Sequence, residues 1–169
     1  MEIGIIGLGA VGSAIKQGFE YIGHTTRGHD IRHQTKIEDV LSSEIVYICV
    51  GTPPDKNEHC DISAVIDVVD NLNKLEYKGI VAVKSTVKPG TTNELVKNYP
   101  NLTLAFVPEF LRERTGEEDF INGNLIIFGG DKKLSKTASE FFLNHTLCKQ
   151  QDHIITDKVS ASLVKYTIN

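Results

Sequence analysis

Residues Ile3 to Gly12 carry an apolar segment, Ile3-Gly4-Ile5-Ile6, straight into Gly7-Leu8-Gly9-Ala10-Val11-Gly12. That is a buried strand opening into GxGxxG, and each glycine answers a different need. Gly7 takes the tight turn out of the strand, Gly9 lets a pyrophosphate meet bare backbone, and Gly12 lets the following helix pack close to the sheet. Ser13 to Tyr21 has helix-forming composition, so the free N–H groups and positive dipole end of that helix point at the phosphates. Taken alone, the pattern also fits a flexible glycine turn in some other α/β protein. The residues downstream carry the decision.

Thr25 to His29 reads as a short β-prone segment ending at Asp30, 18 residues after Gly12. In dinucleotide-binding βαβ units an acidic side chain at about 20 residues accepts from the adenosine ribose hydroxyls. Such a carboxylate repels a 2′-phosphate and so favours NAD over NADP. Arg27, Arg32 and Lys36 nearby leave room for a phosphate, and a plain strand-end turn is the other reading of Asp30.

Further along, Lys36 to Leu41 reads as a short helix and Glu44 to Val50 as a β-branched strand covered on both faces. The strand breaks at Gly51-Thr52-Pro53-Pro54. Asp61 to Ser63 opens an amphipathic helix with Val65, Ile66, Val69 and Leu72 on one side, which Asp61 or Ser63 caps. Gly79 to Lys84 is the next strand, ending at Ser85-Thr86-Val87, and a threonine-capped helix covers Asn93 to Asn98. Leu102 to Val107 and Asn124 to Phe128 are further strands. A helix over Leu134–Asn144, a short strand at Ile154-Ile155 and a helix from Asp157 to Asn169 complete the chain. Strands alternating with helices predict an α/β domain with a doubly wound, mostly parallel sheet.

Composition bounds the partners. A net charge of −4 with a sequence pI of 5.8 argues against nucleic acid, whose binders concentrate basic surface. With 40% apolar and 24% charged residues the chain has the balance of a globular domain, and no apolar run approaches the ~18 residues of a membrane span. Met1-Glu2 leads straight into a strand without a basic region or cleavage site, which predicts a cytoplasmic protein. The three cysteines, Cys49, Cys60 and Cys148, lack CxxC or Cys/His ligand spacing and read as reduced thiols, with no metal site. Cys49 reads as a packing residue and Cys60, in a polar loop, as the more reactive one.

Three strand ends thus carry unusual polar turns: Gly51-Thr-Pro-Pro, Ser85-Thr-Val-Lys-Pro-Gly-Thr-Thr and Pro108-Glu-Phe-Leu-Arg-Glu. With the glycine fingerprint ahead of them, their order resembles the N-terminal NAD-binding domain of the UDP-glucose/GDP-mannose dehydrogenase family. Leu163 to Asn169 resembles the start of that family's long central helix. The resemblance implies a Rossmann-like domain over residues 1–157, with 158–169 as a truncated start of the central helix. It implies a nucleotide-sugar 6-dehydrogenase that oxidises a primary alcohol twice to a carboxylate, with NAD as cofactor and UDP-glucose as the foremost substrate, in the supply of polysaccharide precursors. Gly7, Gly9 and Gly12 would hold the pyrophosphate, and Asp30 and Lys36 the adenosine ribose. Ala10, Val11, Val50, Gly51, Thr52, Ser85 and Thr86 complete the implied cofactor-binding set. Thr86, Glu109, Glu113, Lys165 and Asn169 are the implied catalytic residues: Thr86 orders a water, Glu109 assists it in hydrolysing a thioester, and Lys165 and Asn169, one helical turn apart, steady an oxyanion.

The chain also departs from the family pattern. None of the cysteines lies in the family's Gly-Gly-x-Cys-x-Pro-Lys-Asp motif, which belongs to a second domain beyond Asn169; that domain, supplied within a longer chain or separately, or a homodimer, is an expected partner. The stretch between Asp30 and Glu44 is shorter than the family's excursion there, so a strand and helix of the sheet are expected to be missing. Arg114 replaces the glycine that usually follows Pro-Glu-Phe-Leu-Arg-Glu, and Leu125 replaces a frequent arginine. Two other readings stay open: an inactive module that binds NAD or a nucleotide sugar, and a small reductase of the hydroxy-acid dehydrogenase type.

Overall fold

The computed structural model describes residues 1–56, 58–112, 114–123, 125–130 and 152–168. Among them the elements run β1 (Glu2–Ile6), α1 (Ala10–Tyr21), β2 (Thr25–His29), a 3₁₀ turn (Ile37–Val40), β3 (Ile45–Ile48), α2 (Ser63–Lys74), β4 (Ile80–Val83), α3 (Thr91–Asn98), β5 (Thr103–Phe106), α4 (Gly116–Asn122), β6 (Leu125–Gly129), β7 (Asp152–Thr156) and α5 (Lys158–Ile168). The seven described strands form one sheet in the order β2-β1-β3-β4-β5-β6-β7. Every pairing is parallel except β5 with β6, which meet antiparallel at Phe106 and Gly129.

The alternation of strand side chains builds two cores. Val46, Ile48, Val81, Val83, Leu104 and Phe106 face one side, where α2 supplies Val65, Val69 and Leu72, α3 supplies Leu95 and α5 supplies Ala161. Ile3, Ile5, Ile45, Tyr47, Ala82 and Ala105 face the other, where α1 brings Ile15 and Phe19. Both faces of the central strands are therefore covered, which is why β3 and β4 read as unbroken apolar runs. Each fully buried Ile or Phe contributes roughly 1.5–3 kcal/mol. Phe19 stands at the centre of its layer, edge-on to Phe120 of α4 at 4.9 Å and tilted against Tyr47 at 5.5 Å.

Strand order places the crevice. The chain leaves β1 toward β2 through α1, then returns to the opposite side of β1 with β3, so the order reverses between β1 and β3. Ligands of open α/β sheets bind outside the carboxyl ends of the strands at such a point. β2 is the sheet edge, because only the 3₁₀ turn separates it from β3; the shortening read from the sequence is present.

Several local expectations shift. The Lys36–Leu41 helix is a single 3₁₀ turn with only Val40 buried, its entry fixed by the Lys36 N–H donating to Asp39 Oδ2 at 2.8 Å. Helix α1 begins at Ala10, inside the glycine motif, rather than at Ser13. Helix α3 begins at Thr91 behind Gly90, whose φ of 96° suits glycine, so Thr91 and Thr92 are inside the helix and buried. Ile66 is 39% exposed and lies off the buried stripe of α2. Helix α4 was not expected at all. The helix read over Leu134–Asn144 lies outside the described residues. No described helix is long and apolar enough to cross a membrane.

Candidate functional site

The site begins where β1 stops. Gly7, at φ +92°, turns the chain so tightly that a Cβ there would sit 2.8 Å from the Cys49 and Val50 backbone. Its N–H donates to His29 O at 2.8 Å, which ties the turn to the end of β2. Gly12 is tighter still: a Cβ would fall 1.8 Å from Gly7 O, so only glycine lets α1 start this close to the sheet. Gly9 has nothing within 4 Å of a notional Cβ and faces open space, with Ala10 exposed beside it and Val11 half-buried. That is the geometry of a backbone left bare for a ligand.

Asp30 lies beside this turn at the carboxyl end of β2. It is 5% exposed, and its Oδ2 accepts the Leu8 N–H of the glycine turn at 2.7 Å. Arg32 closes on it with a bidentate fork, Nε to Oδ1 and Nη2 to Oδ2, both at 2.9 Å, while the Arg32 backbone N–H adds a bond to Oδ1 at 2.9 Å. The guanidinium, followed by the backbone donors, holds the Asp30 carboxyl well below the usual carboxylate range, against the opposing effect of burial. Thr35 Oγ1 accepts the Asp30 N–H at 3.1 Å and closes the turn. Lys36 is exposed after it.

The ends of β3 and β4 meet next to the glycine turn. Ser85 Oγ donates to Val50 O at 2.7 Å, and the Ser85 N–H to Ile48 O at 3.0 Å, so the two strand ends are one unit. The loop after Gly51 folds back on itself, with the Asp61 N–H on Pro53 O at 2.8 Å. Cys60 Sγ then lies 3.3 Å from Thr86 O and 3.8 Å from Thr52 O. Val50, Gly51, Thr52, Ser85 and Thr86 are thereby brought to one rim. Cys49, just past the end of β3, is half-buried, and burial pushes its thiol up to about 12.

The third turn sits opposite. Residues Val107 to Arg112 leave β5 without regular structure, and Glu109 is gripped on three sides. Lys165 Nζ, from α5, donates to Glu109 O at 2.5 Å and to Oε1 at 3.0 Å, and the Leu111 N–H donates to Oε2 at 2.6 Å. Lys165 is 3% exposed and lies 5.6 Å from the Phe110 ring centroid. Arg112 forks onto Asp119 of α4 at 2.6 and 3.0 Å. A cavity of about 560 Å³ opens here, lined by Glu109, Phe110, Arg112, Phe120, Ile126 and, on the sheet side, Lys84. A smaller hollow of about 180 Å³ is lined by Ala10 and Val11 beside the glycine turn and by Leu111, Arg112 and Gly116.

The fold therefore brings Gly7, Gly9, Ala10, Val11, Gly12 and Asp30 into one cluster, the β3 and β4 turns into a second, and Glu109 with Lys165 into a third. Glu113 and Asn169 lie outside the described residues. Sequence reasoning missed Arg32 as the partner of Asp30, although the two-residue spacing allows it. It also missed Lys84, whose signal was a single charge ending the apolar run Ile80–Val83. Lys84 is buried with its Nζ 5.8 Å from the Tyr47 ring centroid, and burial lowers the pKa of its ammonium, partly offset by Cys49 and Glu109.

Comparison with known proteins identifies the fold's relatives. Residues 24–145 match the model of the NAD binding domain of the UDP-glucose/GDP-mannose dehydrogenase family. A UDP-glucose 6-dehydrogenase of Rickettsia bellii is 31% identical over 138 residues, which cover 78% of this chain and 32% of that protein. Among solved structures, a UDP-glucose dehydrogenase from Pyrobaculum islandicum superposes with a TM-score of 0.84 at 26% identity, over 98% of this chain and 48% of the other. A ternary complex of GDP-mannose dehydrogenase from Pseudomonas aeruginosa gives 0.83 at 25% identity, over 99% and 49%. The chain thus spans about a third of the curated relative and about half of each solved one.

Proposed function

We propose, because this chain belongs to the UDP-glucose/GDP-mannose dehydrogenase family through its NAD-binding domain, that it is the cofactor-holding portion of a nucleotide-sugar 6-dehydrogenase. The observation that carries the reading is Asp30, a buried carboxylate tied by Leu8 N–H to the glycine turn at the strand-order reversal. In this reading Gly7, Gly9 and Gly12 shape the pyrophosphate seat, with Ala10 and Val11 at the first turn of α1. Asp30 and Lys36 take the adenosine ribose, and Ile31, 93% exposed beside Asp30, offers an apolar face to the adenine. Val50, Gly51, Thr52, Ser85 and Thr86 line the nicotinamide half. Residues 1–157 form the NAD-binding domain, and 158–169 begin the helix that leads from it.

NAD, when bound, supplies the hydride acceptor. The protein's own part is to fix donors and acceptors around the sugar hydroxyl. Lys165 has three ammonium donors; two are spent on Glu109, and the third, which has no hydrogen-bond acceptor among the described residues, can serve an oxygen on which negative charge develops. One such donor is typically worth about 10²–10³ in rate. Glu109, oriented by Lys165 and Leu111 N–H, is positioned to take a proton from a water ordered by Thr86, with Glu113 and Asn169 assigned to the same site. Oxidation of UDP-glucose to the carboxylate, for polysaccharide precursors in the cytoplasm, then needs a cysteine-bearing domain, from a longer chain or a separate polypeptide.

Calorimetric titration with NADH tests the cofactor reading. Wild type is expected to bind, and Asp30→Ala to lose about tenfold or more through two forfeited hydrogen bonds to a charged acceptor. Undiminished binding in the variant would refute the ribose role.

A further inference from the structure

The Asp30 carboxylate is already full. Its two oxygens offer about four acceptor positions, and four donors occupy them: Leu8 N–H and Arg32 Nη2 on Oδ2, Arg32 N–H and Arg32 Nε on Oδ1. Two of these donors are backbone groups that fix the carboxylate in place. The other two belong to one side chain, and that side chain is 65% exposed. A ribose diol needs two acceptor positions on this carboxylate, and the only pair that yields without moving the backbone is the guanidinium fork.

Resting on the NAD-binding reading above, we propose that Arg32 is a specificity-determining residue that sets the choice between NAD(H) and NADP(H). Arg32 competes with the ribose 2′- and 3′-hydroxyls for Asp30, so NAD binding requires the guanidinium to swing off. A guanidinium displaced from Asp30 stays within a side chain's length of the ribose 2′ position, because it springs from the same turn. There it presents its planar fork to a 2′-phosphate, the group it matches best. Asp30 alone repels that phosphate; a guanidinium with five donors, standing between the two anions, offsets the repulsion. The turn therefore tolerates both cofactors, with Arg32 weakening one and enabling the other.

The site supports the swing. The guanidinium lies at the rim, so leaving Asp30 exposes no new cavity, and the buried carboxylate keeps its bonds to Leu8 and to the Arg32 backbone. Exposed ion pairs are weak, so the competition is worth only a small factor in NADH affinity. Recognition of a phosphate by a bidentate fork is worth considerably more.

The test is calorimetry with NADH and with NADPH on wild type, Arg32→Ala, Arg32→Lys and Asp30→Ala, each checked for fold by circular dichroism. In Arg32→Ala, NADH should bind about two- to fivefold tighter and NADPH about tenfold or more weaker. Arg32→Lys, which keeps the charge and loses the fork, should fall between wild type and Arg32→Ala for NADPH. Asp30→Ala should weaken NADH and spare NADPH. An unchanged NADH to NADPH ratio in Arg32→Ala, weaker NADH binding in that variant, or wild type that binds no NADPH overturns the inference while leaving the NAD-binding reading intact. Failure of wild type and every variant to bind either nucleotide overturns both.

Discussion

Gly9 and Gly12 stand three residues apart in one motif, yet they answer to different physics. A methyl at Gly12 meets Gly7 O at 1.8 Å, a backbone atom that cannot step aside. Gly12→Ala should therefore cost about 3 kcal/mol or more in urea unfolding, beyond ordinary overpacking. A methyl at Gly9 meets nothing within 4 Å. Gly9→Ala should stay within about 0.5 kcal/mol of wild-type stability yet weaken NADH binding by about tenfold or more, because the methyl stands where the pyrophosphate approaches. Equal losses of stability in the two variants would contradict this division. Cys49 gives a second prediction at this scale. Burial pushes its thiol up to about 12, so near neutral pH it holds far less thiolate than an ordinary cysteine. Iodoacetamide at pH 8 should label Cys49 at least about tenfold more slowly than an ordinary thiol, by peptide mass spectrometry, until denaturant exposes it.

Helix α5 is held at the end of the sheet by one side chain as much as by its apolar face. Lys165 reaches 56 residues back along the chain to Glu109, and both side chains are nearly buried, at 4% and 12% exposed. Removing the cation alone leaves a buried carboxylate without its partner, so Lys165→Met should cost about 3–5 kcal/mol in chemical unfolding. Pairing it with Glu109→Gln should recover part of that loss in a double-mutant cycle; strict additivity would show that the two residues do not act as a unit. This contact was legible as two candidate residues and not as a pair, because nothing local in a sequence links positions so far apart. The central strands were legible for the opposite reason. Ile45–Ile48 and Ile80–Val83 are covered on both faces, so apolar continuity names them directly. Helix α4 hid because it buries no residue fully, spends its first turn on Glu117, Glu118 and Asp119, and is held by Arg112 and by Phe120 against Gly18. The saturation of Asp30 hid too: its role follows from spacing, but its partner follows from the course of the turn after β2.

Acid stability belongs to the whole molecule, and its sign follows from where the carboxylates sit. Asp30, bonded first by Arg32, and Asp119, bonded first by Arg112, both titrate below the usual carboxylate range in the folded chain. In the unfolded chain each returns to about 3.9. The folded state therefore holds fewer protons than the unfolded one between those values, and stability must fall as pH drops through that window. Above about pH 5 both states are ionised and the contribution is fully present. Lys84 acts at the other end of the scale: burial lowers its folded pKa, so between that value and its ordinary 10.5 the unfolded state binds the extra proton and stability rises with pH. Urea unfolding of Asp30→Asn should thus show a lower plateau at neutral pH and a shallower fall between pH 4 and 2.5, the slope reduced by at most about 1.4 kcal/mol per pH unit for one proton. Exposure of the Arg32 guanidinium screens the pair, so 1 M salt should narrow the difference between variant and wild type. Lys84→Met should leave the acid limb alone and steepen the alkaline fall that the raised Cys49, Tyr47 and Tyr77 groups produce, because the opposing contribution of Lys84 is then gone. An acid limb of unchanged slope in Asp30→Asn would mean that the Arg32 fork does not hold Asp30 ionised in solution. The competition with ribose would then lose its physical basis as well, so this unfolding curve checks the cofactor-choice inference without any nucleotide.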